Sequence, residues 1–321
     1  MSRIRKLLAA CLALFSSAVI AQAYPSKPVK IIVPYAPGGL PDTMARIVGA
    51  KLGDATGQQF LIENRGGAGG ITGVTEVVKA PADGYTLLIA DVGQIAINPH
   101  LFSKLPYDPL KDLAPVSLVG TSPLYLVAHP SVRASTFKEL ISLAKAEPGK
   151  LNYGSSGTGS IHHLATEALK AGLGLDLVHV PYKGTGQSVP ALLGGQVALL
   201  YSALPSIAGH VKDGKVKILA VSTAQRNPAT PDVPTVAESG IPGYEFTAEI
   251  GMLAPGNTPR DVISRLAAEV AKVVKQADVV QRFSALGIDP IGSTPDAYGS
   301  GNRRAYDKYA QIVKASGAKI D

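Results

Sequence analysis

The stretch VPYAPGGLPDTMAR, residues 33–46, closes an apolar run and opens a helix, and the turn between them holds three prolines and two glycines within eight residues. The run it closes, VKIIV at 29–33, is continuously apolar, the pattern of a strand buried on both faces of a parallel sheet. Gly38 and Gly39 reach backbone angles closed to other residues and let a ligand approach the peptide N–H groups. The helix predicted from Asp42 to about Leu52 directs its positive dipole end and free N–H groups back at the turn. The stretch therefore reads as a strand–turn–helix unit of an α/β sheet whose turn suits a carboxylate. The alternative is a plain connecting turn with Asp42 as the helix N-cap.

The same alternation continues outward. QFLIEN (59–64) is a strand, RGGAGGITG a glycine turn, ITGVTEVVKA a helix and YTLLIAD (85–91) a third strand. APVSLVG and LYLVAHP add two strands around 115–130. Strand, helix, strand, helix, strand is the βαβ order of an open α/β sheet. A second series follows. It has a capped helix over Ser135–Ala146, strand LNYGS, a helix from about Ser160 to Ala171, strand LDLVHVPY, short helix GQSVPALLGG, and strands QVALLYS and KVKILAVS. PTVAESG reads as a one-turn helix. The strand FTAEIGMLAP (246–255) then precedes helices from Pro259, Ala277 and Pro295, with Pro259 in a first turn where its missing N–H costs nothing. The second series is complete in itself, so these last helices are assigned to the first sheet. The chain is thus expected to form two lobes, 24–123 plus 247–321 and 124–246, crossed twice near 122–126 and 244–248. A cleft lies between them, with ligand contacts at strand ends and helix N-termini.

Residues 1–23 are set aside from the fold. A basic start, MSRIRK, precedes an apolar run and the small-x-small site Ala21-Gln22-Ala23, the pattern of a secretory signal cleaved before Tyr24. The run is shorter than the roughly 20 residues of a spanning helix. Cys11 is the only cysteine, so the exported chain has no thiolate nucleophile, Cys-ligated zinc or iron–sulfur centre. The net charge of +7 is spread without a Lys/Arg block, which argues against nucleic acid and suits the collection of small anions.

The loop YGSSGTGSIHH, 153–163, offers hydroxyls from Ser155, Ser156, Thr158 and Ser160 around Gly157 and Gly159. It has the glycine spacing of a phosphate loop, but Ser160 stands where that motif needs lysine. No serine here has glycine at both −2 and +2, so a nucleophile elbow is absent. What remains is a hydroxyl and N–H cradle, with Ser160 also a candidate N-cap. His162 and His163 are adjacent and cannot share a metal at i, i+4 spacing, so no metal site is expected. One of them, taken as His162, is expected to face the cleft. VPYKGTGQS (180–188) and DVGQIAIN (91–98) are further strand-end glycine turns, with Lys183 a source of charge. RGGAGGITG has Thr72 in place of the third glycine of a dinucleotide fingerprint.

Together PVKIIVPYAPGGLPD, ENRGGAGG, PADGYTLL, YGSSGTGSIHHLATE, VPYKGTG, ALLGGQV, PDVPTVAESG and LAPGNTP resemble, in order and spacing, the substrate-binding proteins of tripartite tricarboxylate transporters, the Bug-type receptors. The resemblance runs from about residue 26 to the C-terminus. It implies a two-lobe, type II periplasmic-binding-protein-like architecture. It also implies a periplasmic receptor, without cofactor or catalysis, that closes on a small carboxylate and presents it to a membrane permease. By resemblance the turn Tyr35, Ala36, Pro37, Gly38, Gly39 and Asp42 holds the carboxylate. Val92, Gly93 and Gln94, the 155–160 loop with His162, and Lys183, Gly184 and Thr185 complete the pocket.

The chain departs from the family pattern at Ala198, at Tyr201-Ser202, and at Glu249 where a tryptophan is usual. These departures bear on whether the ligand is the usual dicarboxylate. With Glu249 at the cleft, the ligand is expected to carry an amine as well as a carboxylate; the alternative is a solvent-facing Glu249. Tyr201 is also counted among the candidate ligand-binding residues. A monomer is expected. Two other readings share the pattern: a secreted hydrolase using Ser156 or Ser160 with His162, and a sensor docking on a membrane regulator.

Overall fold

The computed structural model describes residues 24–316; the expected signal segment, 1–23, lies outside them. VKIIV forms β1 (Val29–Val33), paired in parallel with β2 (Phe60–Asn64) and β3 (Thr86–Ala90). β1 is buried on both faces. Ile31 and Val33 join a core cluster with Met44, Val48 and Leu52 of helix α1 (Leu40–Thr56), while Ile32 packs with Val74 and Val77 of α2 (Ile71–Val78). That two-sided packing is why the strand carries no polar alternation.

The first sheet continues through β4 (Leu113–Pro123) and β10 (Thr247–Pro255) to β11 (Asp289–Pro290), in the order β11-β4-β10-β3-β1-β2. The second sheet has the order β7-β6-β8-β5-β9, built from β5 (Tyr125–Ala128), β6 (Asn152–Ser155), β7 (Val178–Pro181), β8 (Leu199–Ser202) and β9 (Lys217–Val221). Only Leu124 separates β4 from β5 on the outward crossing. The return crossing enters β10, which runs antiparallel to β4 with Thr247 opposite Pro123, Ala248 opposite Ser122 and Glu249 opposite Thr121. The two crossings are therefore hydrogen-bonded neighbours. Leu124, Tyr201, Tyr244, Phe246 and Ala248 belong to one buried cluster that reaches into both sheets.

Local chemistry sets the helix ends. Thr136 caps α4 (Phe137–Ala146) by accepting from Glu139 N, and Ser160 caps α5 (Ile161–Leu173) by accepting from His163 N. Pro259 is the N-cap of α8 (Arg260–Val273). α8 packs on β4 and α1, and α10 (Pro295–Ser316) on β4, so the late helices do cover the first sheet. α10 also reaches α5, a contact with the second unit that the sequence did not suggest.

Two expectations change and one helix is new. PTVAESG is a turn: Thr235 and Glu238 exchange the two bonds of a capping box, but no helix follows. α7 (Leu204–Lys212), a stretch assigned no element from sequence, is a helix with proline in its first turn. DVGQIAIN leaves β3 as a π turn, Gly93–Ile97, that runs into the short helix α3 (Asn98–Leu101). The remaining helices are α6 (Thr185–Leu193) and α9 (Ala277–Ala285).

Candidate functional site

The turn after β1 touches the second sheet's turn before α6. Ala36 N–H donates to the Lys183 carbonyl at 3.2 Å, and Ser206 Oγ donates to the Gly38 carbonyl at 3.1 Å. A β-carbon on Gly39 would lie 2.7 Å from Thr185 Oγ1, so only glycine admits this approach. Beside the contact is a small cavity lined by Pro34, Tyr35, Gly67, Ala68, Gly69, Gly70, Ser156, Tyr182 and Lys183. It encloses about 30 Å3, enough for one or two waters. Lys183 is the one charged side chain in that lining, and Ser156 brings a hydroxyl.

A buried network fixes the first-sheet wall. Tyr35 Oη donates to Asp91, at 2.9 Å to Oδ1 and 3.0 Å to Oδ2, and accepts from Gln94 Nε2 at 2.8 Å. Gly93 N–H donates to Asp91 Oδ1 at 2.7 Å. Gln94 Nε2 and Asn98 Nδ2 both donate to the Gly69 carbonyl, so the π turn and the start of α3 hold the glycine loop in place. Burial pushes the Asp91 carboxyl up to about 6, against the pull of Gly93 N–H and the Tyr35 hydroxyl. The same burial raises Tyr35 well above the usual phenol range. From spacing alone RGGAGGITG (65–73) reads as a weak dinucleotide loop, which does not show the place of its 67–70 segment at the cavity. The signal was present in the run of glycines directly after a strand end.

Asp42 is neither N-cap nor a free ligand group. Gly39 is the N-cap of α1, and Asp42, in the first turn, reaches back to accept from Gly38 N–H at 2.9 Å. Its carboxylate also accepts from Asn64 Nδ2 and the Arg46 guanidinium. Burial raises its pKa, and these donors together outweigh that effect and lower it. With Ala36 and Gly38 N–H engaged and Pro37 lacking one, the turn offers an anion fewer amides than expected.

The 155–160 loop likewise spends its donors on itself. Gly157 N–H donates to Ser155 Oγ, Gly159 N–H to His163 Nδ1, and Ser160 N–H to the Gly157 carbonyl. Buried amides must be paired, and in this loop the partners are internal. Of its hydroxyls, Ser156 reaches the cavity lining, while Ser155 bonds His179 Nε2 at 2.7 Å and Ser160 caps α5. Thr158 is not among the lining residues. Gly184 is the α6 N-cap and Thr185 its first residue, both at the contact with the 36–39 turn. Val92, Gly93 and Gln94 lie buried behind Tyr35.

Tyr201 is fully buried and bonds Tyr244 Oη at 2.8 Å, so it is core. Glu249 lines a different cavity, with Thr121, Arg304 and Lys308, which shares no residue with the one around Ser156 and Lys183. The alternation along β10 sends its side chain to the α10 side of the sheet, beside the crossings.

His162 is buried, and its Nδ1 lies 2.6 Å from Ser156 Oγ. Burial alone lowers its pKa to about 4, with no carboxylate contributing as the third member of a triad would. Among the described residues no group of three His, Cys, Asp or Glu is placed to hold a metal ion. No helix among them is long and apolar enough to cross a membrane.

Comparison with known proteins places this geometry. The model of the tripartite tricarboxylate transporter family receptors matches residues 44–317. Protein BugT of Bordetella pertussis strain Tohama I is 36% identical, over 94% of this chain and 93% of its own. Two solved structures superpose over their whole chains. Rpa4515 of R. palustris with adipate has TM-score 0.90, 33% identity and 92% of this chain covered. MatC from Rhodopseudomonas palustris with bound malate has TM-score 0.85, 33% identity and 90% covered. The chain belongs to the family of tripartite tricarboxylate transporter receptors.

Proposed function

We propose that the protein is a periplasmic receptor that captures a small carboxylate-bearing solute between two lobes, 24–123 plus 247–321 and 124–246, and delivers it to a tripartite-type membrane permease. One observation carries the reading. The cavity where the 35–39 and 183–186 turns meet is lined from both sheets and has a single charged side chain, that of Lys183. A carboxylate there gains the lysine, the Ser156 hydroxyl and the backbone of the 67–70 loop, groups that stand on different lobes. Such a ligand favours the closed state because only closure brings them together. The cavity is too small for a dicarboxylate as it stands, so loading requires the lobes to part. Adipate and malate in the two similar structures support an organic acid as the ligand class.

The test is calorimetry of the secreted, ligand-stripped protein with a panel of mono- and dicarboxylates that includes adipate and malate, together with mass spectrometry of what co-purifies. Saturable binding of one acid is expected, with a thermal shift to match. At a hundredfold excess over Kd the stabilisation is about 2.7 kcal/mol. No binding across the panel would overturn the reading. The Ser156–His162 bond is the one observation that favours a hydrolase. Hydrolysis of a chromogenic ester that Ser156→Ala abolishes would establish that alternative. Retention of a regulator rather than a permease from membrane fractions would establish the sensor.

A further inference from the structure

Behind the paired crossings, on the α10 side of the first sheet, is a cavity of about 430 Å3, within the size range of small-molecule sites. Its floor is Glu249, opposite Thr121 in the β10–β4 ladder. Its wall carries Arg304 and Lys308, one turn apart on α10, and Glu245 stands at its rim. Among the described residues the Glu249 carboxylate makes no hydrogen bond and no ion pair, and neither cation reaches an acid. Tyr309, only 3% exposed, lines the same space, and its hydroxyl has no hydrogen-bond partner among the described residues. Burial raises the Glu249 pKa, and Lys308 and Arg304 pull it back down across the gap. A half-buried acid and two exposed bases thus face one half-open cavity without meeting, and the half-buried charge is costly unless paired.

We propose that this cavity is a second binding site and takes a small zwitterion, an amino carboxylate whose ammonium pairs with Glu249 and whose carboxylate pairs with Arg304 and Lys308. The charge pattern selects the class. A diacid would set one carboxylate against Glu249, and a diamine would set one ammonium against the α10 cations. A zwitterion satisfies both ends and leaves the Tyr309 hydroxyl a partner. The site shares no lining residue with the Lys183 cavity, so occupancy of one does not exclude the other. Because both crossing strands and α10 build it, the bound zwitterion would report on, and bias, the hinge.

The experiment is calorimetric titration of the full secreted chain with the unbranched series glycine, β-alanine, 4-aminobutyrate and 6-aminohexanoate. Butylamine and butyrate serve as single-charge controls. Saturable one-to-one binding is expected for one or two adjacent lengths, with neither control competing. Glu249→Gln and Arg304→Ala should each weaken it about tenfold or more, or about 1.4 kcal/mol, and Lys183→Ala should leave it unchanged. Arg304 is exposed, so Arg304→Ala decides the matter even if Glu249→Gln does not fold. Three results overturn the proposal. They are no binding of any member up to about 10 mM, the upper end of weak affinity, equal binding by butylamine or butyrate, or binding that Lys183→Ala abolishes while Arg304→Ala spares it. The last would put the amino acid in the first cavity.

Discussion

A β-carbon placed on Gly186 would stand 1.9 Å from the carbonyl oxygen of Pro37, on the far side of the gap between the sheets. No side chain fits there while the two turns touch. Gly186 lies inside α6 and has no positive φ to preserve, so alanine suits its own helix by roughly 0.5–1 kcal/mol. The variant Gly186→Ala thus separates folding from closure. It should keep or raise the unfolding midpoint and lose at least about tenfold in affinity for the cleft ligand. Small-angle scattering should show a larger radius that ligand no longer reduces. Unchanged affinity would mean that the contact does not belong to the bound state.

Lys183→Ala removes the only charge from the cavity lining. A charge-assisted hydrogen bond is worth about 1.5–3 kcal/mol, so acid binding should weaken roughly tenfold to a hundredfold. The loss should shrink at high salt, because the ammonium is exposed and screened. Calorimetry at two ionic strengths measures both effects.

Tyr35→Phe leaves Asp91 without its hydroxyl donor and Gln94 Nε2 without one acceptor, in a buried setting. Orphaning buried polar groups costs about 1–3 kcal/mol. Urea denaturation should report that loss, and exchange of the Gly69 and Gly70 amides should quicken as the glycine loop loses its brace.

Stability should fall with acidification below about pH 6.5. Burial depresses His162 from 6.5 to about 4 and, together with His163, depresses His179 to about 4. Depressed imidazoles bind protons in the unfolded chain first, so their contribution is complete above 6.5 and is lost as pH falls toward 4. Asp91, raised from 3.8 to about 6, acts in the opposite sense, since its native carboxyl takes a proton before the unfolded one. Two imidazoles outweigh one carboxyl. Each pKa unit is about 1.4 kcal/mol, and His162→Asn should flatten part of the slope in urea midpoints measured from pH 7 to 4.5.

Much of this fold is legible because its cues are local. The all-apolar VKIIV announces a strand covered on both sides, and Thr136 and Ser160 mark helix starts by bonding amides three residues on. What escaped depends on distant partners. Asp42 reads as a cap or a ligand group until Asn64 and Arg46 arrive to occupy it. Loop 155–160 reads as a free cradle until His163, one turn into the helix, takes Gly159 N–H. Glu249 reads as cleft-facing or solvent-facing, and only its register against Thr121 under α10 reveals a third environment. Gly67–Gly70 look like a spoiled motif because spacing alone cannot show that Gln94 and Asn98 grip the loop from another turn.

The laddering of Thr247, Ala248 and Glu249 against Pro123, Ser122 and Thr121 bears on how the halves can move. Two independent tethers would permit swivel, slide and bend alike. A hydrogen-bonded pair behaves as a book spine: sliding would shift the register and break the rungs, whereas flexing across the pair spares them. On the proposed closing motion, this pairing restricts the halves to a trajectory close to a single arc. Any molecule wedged beneath α10 at that spine acts on the arc itself.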